Sequence, residues 1–176
     1  MNEDRRSIDV LVAKEEIREL VMLYSRGCDR KDIELLRTLY THDATDSHDR
    51  TFDGPANEYI NFLERSLPHL RYSGHHVCNH LISVDPELGE GEGEVYALAW
   101  HVYPDGQGGW VEDFMCVRYI DRYRKVNDRW RFAKRVVRYD LHTTRPHQPT
   151  EAAPHAGAEP SYAQLSSRLF AKGPRA

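Results

Sequence analysis

Long hydrophobic runs are missing from this 176-residue chain. The longest fall far short of the roughly 20 apolar residues that a membrane span requires, so no membrane partner is expected. No apolar segment of the signal-peptide kind follows the polar residues 1–6, and a cytoplasmic location is expected. Cysteine is scarce. Cys28, Cys78 and Cys116 stand alone without CxxC spacing, which argues against a disulfide framework or a zinc site and predicts reduced, mostly buried thiols. Concentrated charge is also absent. The net charge is −4, and Lys and Arg are scattered among Asp and Glu. The densest basic run, Arg122, Arg124 and Lys125, alternates with apolar residues as a solvated strand face does. A phosphate reader needs a concentrated basic face, so nucleic acid is not expected as the main partner. The Gly-rich residues 105–109 read as a hairpin loop, and no phosphate-cradling loop appears elsewhere. Two His and a carboxylate can hold iron, but no characteristic ligand spacing occurs, and neither a metal nor another cofactor is expected.

Periodic apolar positions are plentiful. At this length they predict one domain with a sizeable core. Residues 1–9 are polar and expected to be loose. Over residues 10–27, Leu11, Ile17, Leu20, Val21 and Tyr24 follow helical spacing, with Gly27 suited to a helix end. Asp32 is a candidate cap for a second helix over residues 33–40. Residues 41–51 are polar, and read as a short strand lining a polar space or as a loop. Phe52, Asp53, Gly54 and Pro55 signal a turn, followed by a third helix to about residue 67. Strands follow over residues 70–84, 94–103, 110–125 and 129–141, the last two joined by an Asn127–Asp128 hairpin turn. Residues 142–176 read as an extended tail with a possible short helix near its end, and His142, His147 and His155 in it as solvated. Helices followed by long antiparallel strands make an α+β order. A strongly curved sheet wrapped by three helices gives a cone whose mouth suits a small molecule.

The chemistry-bearing stretch is residues 75–84, with His75, His76 and His80. Imidazole is the side chain that accepts and returns a proton near neutrality. A further His101 ends the apolar run 95–100, and Asp29 closes the first helical segment. Period two puts His76 and His80 on the opposite face from His75, as structural or exposed side chains.

Residues 24–32, 74–79, 99–101 and 119–123, with Trp130 to Phe132, together resemble a SnoaL-like protein. That family lies in the cone-shaped α+β superfamily named for nuclear transport factor 2. The resemblance covers residues 10–141. It is nearest the branch of scytalone dehydratase, the bile-acid 7α-dehydratase and the hexachlorocyclohexane dehydrochlorinase. What it implies is a pocket His as base, oriented by an Asp: His75 and Asp29 here. It also implies His101 as a second pocket imidazole and Tyr24 as a polar pocket group. His48, Asn79, Trp100 and Asp113 are candidates for substrate contact. Cys28 and His48 stand where scytalone dehydratase has tyrosines, so a different substrate is implied. The expected activity is a cofactor-free dehydratase, isomerase or cyclase acting on a hydrophobic ring compound, in a homodimer or homotrimer. Two alternatives stay open: a non-catalytic module holding a lipid-like ligand, and the small subunit of a ring-hydroxylating dioxygenase.

Overall fold

The computed structural model describes residues 3–49, 51–148 and 159–175. Helix α1 spans Glu3–Asp29 and buries Ala13, Ile17, Leu20, Val21, Tyr24 and Cys28, positions three and four residues apart. It includes most of the segment expected to be loose. Once later turns are anchored in the core, each further turn only propagates an existing helix, which is far less costly than starting one. Gly27 is not the helix end. A Cβ there would stand 2.6 Å from Leu36 Cδ2, so the missing side chain lets helix α2 (Ile33–Arg37) pack closely. The true end is a Schellman turn. Asp32 N–H donates to Gly27 O at 2.8 Å, Lys31 N–H donates to Cys28 O at 3.2 Å, and Lys31 takes the left-handed φ of 54°.

Asp32 caps α2 by accepting the Leu35 N–H at 3.2 Å. The expected length of that helix is cut short because Tyr40 begins strand β1 (Tyr40–His48), which resolves the polar segment as a strand. Then come β2 (Phe52–Pro55), helix α3 (Ala56–Ser66), a 3₁₀ turn (Leu67–His69), β3 (Tyr72–Asp85), β4 (Glu90–Pro104), β5 (Trp110–Val126) and β6 (Arg129–His147). Asn127 and Asp128 turn the last hairpin with φ of 51° and 58°. The sheet order is β2-β1-β6-β5-β4-β3. Only β1 and β6 run parallel. The sheet is curved and open, an α+β cone around α1 and α3. Its inner face and the helices share one core, with Ile17, Val21, Tyr24, Leu36, Ile60, Val95, Tyr123 and Phe132 among its members.

Strand β6 runs six residues beyond the expected end, through His147, so the first part of the supposed tail is sheet. Residues 149–158, including His155, lie outside the described residues. Helix α4 (Pro160–Gln164) and a 3₁₀ turn (Arg168–Phe170) pack back on the α1–α2 junction. There Arg26 Nη2 donates to Ser161 Oγ at 3.0 Å and to Phe170 O at 3.1 Å, and Gly173 N–H donates to Asp32 at 2.9 Å. No described helix is long and apolar enough to cross a membrane.

Candidate active site

Asp29 is the last residue of α1, where a carboxylate opposes the helix dipole. Local hydrogen bonds outweigh that penalty. His75 Nδ1 lies 2.7 Å from Asp29 Oδ1, His75 N–H donates to Oδ2 at 3.0 Å, and Ser73 Oγ donates to Oδ1 at 3.0 Å. Period two along β3 puts Ser73 and His75 on the same inner face. Burial works to raise the Asp29 carboxyl, but the His75 ring, the His75 N–H and Ser73 together hold it below its ordinary value.

The β3–β4 register pairs Ser73 with His101. The His101 ring consequently meets His75 nearly edge-on, with centroids 5.3 Å apart at 65°. His101 Nε2 is buried and has no hydrogen-bond partner among the described residues. Burial first, then the His75 charge, lowers the His101 pKa to about 4; Asp29 and Asp113 pull the other way. His101 is therefore a neutral imidazole at neutral pH. His80 falls to about 4 as well, through burial and then Arg18 and Arg135, against Asp121.

Both shifts depress the folded value, so the folded state binds fewer protons than the unfolded chain below pH 6.5. Stability should be complete above pH 6.5 and fall as pH drops toward 4. The expected loss is on the order of 2 kcal/mol for His101 and less for the solvent-screened His80. Urea midpoints at pH 7.5, 6.0 and 4.5 check this. The slope should flatten in His101→Asn, and a wild-type midpoint unchanged across the range would overturn it.

A second imidazole–carboxylate pair lies on β1. His48 Nδ1 is 2.5 Å from Asp46 Oδ1, and Asp46 is 0 % exposed. His48 Nε2 is 2.9 Å from Tyr59 Oη, the two rings stack at 4.4 Å, and Tyr59 Oη is 3.0 Å from Tyr24 Oη. Tyr40 Oη donates to Asp46 Oδ2 at 2.7 Å. Burial raises the phenols of Tyr24, Tyr40 and Tyr59 well above the ordinary value, so all three keep their protons. Tyr59 and Tyr40 are members that sequence reasoning misses, whereas Asp46 and His48 read from sequence as lining the mouth of the polar space. The signal available was Ala44, Asp46 and His48 at alternate positions of a segment whose polarity suggests a loop.

The β4–β5 register sets Asp113 opposite His101. Asp113 accepts hydrogen bonds from Tyr103 Oη at 3.0 Å and Thr144 Oγ1 at 2.6 Å, and His142 lies 3.2 Å away. His142 and His147 are thus paired, His147 with Glu112 at 3.0 Å. Trp100 and Asn79 do not join the cluster. With His101 facing inward, alternation sends Trp100 outward onto Phe114, ring centroids 5.8 Å apart. Asn79 is exposed within an irregularity of the β3–β4 register between Val77 and His80. The same irregularity resets the alternation: His76 is exposed as expected, whereas His80 turns inward to lie 3.2 Å from Tyr123 Oη. Cys28 is buried, Cys116 half-buried and Cys78 exposed, and all three are free thiols. Among the described residues, no group of three His, Cys, Asp or Glu is arranged to hold a metal ion.

The SnoaL-like domain family matches residues 9–136, most of the chain. The protein belongs to the SnoaL-like domain family. Solved structures agree on the fold of this SnoaL-like chain. A protein from Novosphingobium aromaticivorans DSM 12444, provisionally named scytalone dehydratase, is 25% identical with a TM-score of 0.69, covering 87% of this chain and 99% of its own. Hexachlorocyclohexane dehydrochlorinase LinA-type3 from Novosphingobium barchaimii LL02 is 18% identical with a TM-score of 0.69, covering 84% of this chain and 99% of its own. No curated protein matches the sequence.

Proposed function

We propose that this SnoaL-like protein is a lyase or isomerase that removes a proton from a carbon beside a carbonyl of a hydrophobic ring compound. The observation that carries the reading is the 2.7 Å contact between Asp29 and His75. With Nδ1–H donated to Asp29, the His75 Nε2 lone pair is free to act as base, and the carboxylate stabilises the imidazolium that forms. The negative charge moves onto the carbonyl oxygen. Neutral His101, with its unpartnered Nε2, is suited to donate a hydrogen bond there rather than to supply a proton. Loss of a β-hydroxyl as water then completes an elimination; return of the proton elsewhere completes an isomerisation.

The names of the similar structures, a dehydratase and a dehydrochlorinase, fit elimination chemistry. A cup built only to hold a lipid-like ligand has no need of a carboxylate-oriented imidazole, which favours the enzyme. Exposed Tyr96, Leu98, Trp100 and Leu141 support a homo-oligomer closing over the sheet's outer face.

Two probes test the base. One is deuterium uptake beside the carbonyl of 1-tetralone in D₂O. The other is conversion of 3-hydroxy-1-tetralone to 1-naphthol, which is net loss of water. Both rates should fall by about 10²–10⁴-fold in His75→Gln with an unchanged circular-dichroism spectrum. Equal rates in the folded variant would remove the mechanism.

A further inference from the structure

The Asp46–His48 pair has the same construction as Asp29–His75, with a more deeply buried carboxylate. Its carboxylate is sealed from solvent, and its imidazole is 12% exposed. A histidine needed only for packing does not require a buried carboxylate on one ring nitrogen and a phenol on the other. The contacts continue to Tyr24 on α1, five residues before Asp29. The row of hydrogen bonds thus leads from β1, through α3, to α1, the helix that ends at Asp29, the partner of the proposed base.

We propose that Asp46, His48, Tyr59 and Tyr24 form a proton relay that supplies the departing hydroxyl, complementary to the base on the other side of the cup. This rests on the elimination reading above. When His48 is neutral, Nδ1–H donates to Asp46, Nε2 accepts from Tyr59, and Tyr59 accepts from Tyr24. When Nε2 gains a proton, every bond in the row reverses: Nε2–H donates to Tyr59, Tyr59 donates to Tyr24, and the Tyr24 hydrogen is released for the substrate. In the elimination, the C–H proton goes to His75 and the C–O bond breaks. Tyr24 gives its proton to the leaving oxygen, Tyr59 refills Tyr24, and His48 refills Tyr59. One proton enters at His75 and one leaves from His48, so charge balances, and water exchange resets both imidazoles. Tyr24 is the group that meets the substrate; Tyr59 and His48 feed it, and Asp46 positions His48.

The relay predicts a split between the two probes. His48→Gln and Tyr59→Phe should each slow 1-naphthol formation by about 10²-fold while deuterium uptake by 1-tetralone stays within about threefold. The double variant should be no slower than either single one, because the groups act in series. If both probes fall together, His48 is scaffold; the relay is wrong and the base survives. If the wild type takes up no deuterium, the base reading fails and the relay falls with it. A substrate-free check is ¹⁵N NMR of the histidines at pH 8. Neutral His48 must carry its proton on Nδ1, and Tyr59→Phe must shift its Nε2 resonance. A proton on Nε2 overturns the relay whatever the activity.

Discussion

Asp29→Asn should lower both probe rates by about 10²–10⁴-fold, nearly as much as loss of His75 itself. The volume hardly changes, so the loss comes from hydrogen-bond polarity. Asp29 accepts three donors: the His75 ring, the His75 N–H and Ser73. An asparagine has one acceptor oxygen and an amide that must donate. If the oxygen takes the Oδ2 position and keeps the His75 N–H, the amide takes the Oδ1 position, faces both Ser73 Oγ and His75 Nδ1, and forces that nitrogen to accept. The ring proton then moves to Nε2, and the lone pair needed for base catalysis is gone. Asp29→Asn should accordingly shift the His75 ¹⁵N pattern to the Nε2–H tautomer while the fold persists. A variant that retains wild-type rates, with His75 in the Nδ1–H tautomer, would dissociate the carboxylate from catalysis.

Arg135→Ala should be the most damaging change away from that dyad. Arg135 sits in register between Asp46 on β1 and Asp121 on β5. It is fully buried, and its Nε and Nη2 bind the two Asp121 oxygens at 2.8 and 2.7 Å. Its guanidinium lies over Phe132 at 4.0 Å and over Tyr24 and Tyr119 at 4.3 Å. Removing it strands a buried carboxylate whose remaining polar neighbour is Tyr123 Oη at 3.0 Å. Breaking a buried pair costs about 3–5 kcal/mol, which for a chain of this size lowers the melting temperature by roughly 10 °C. Replacing both partners, Arg135→Met with Asp121→Leu, should recover most of the loss, because the stranded charge is gone. A melting temperature unchanged in Arg135→Ala would contradict this account.

Residues with strong alternation were readable from sequence. Strands β5 and β6 and the Asn127–Asp128 turn follow from period-two patterning and turn chemistry, and β4 from a nearly continuous apolar run that suggests burial on both faces, although its residues alternate between buried and exposed. The family resemblance, rather than periodicity, brought Asp29 and His75 into one hypothesis. What was hidden depends on tertiary partners. Gly27 looks like a cap, but its purpose is the approach of Leu36, which sequence spacing does not reveal. Strand β1 reads as either a strand or a loop because its inward Asp46 and His48 are polar; Tyr40 at its own start and Tyr59 on α3 supply their partners. The end of β6 is hidden in the same way: Thr144 points a hydroxyl at Asp113 instead of burying carbon. Trp100 adjoins His101 in sequence, but alternation turns the two to opposite faces of β4, and Trp100 lies against Phe114.

The irregularity in β3 has a consequence for how this architecture tolerates change. On one side of it, strand phase is set by His75 reaching Asp29; on the other, by Ile82 and Val84 packing against the core. Deleting a single residue at position 78 or 79 would merge the two phases. The strand would then have to choose, either swinging His75 out of reach of its carboxylate or pushing Ile82 and Val84 into water. The length of the chain at that spot, more than the identity of any side chain there, is what guards the dyad.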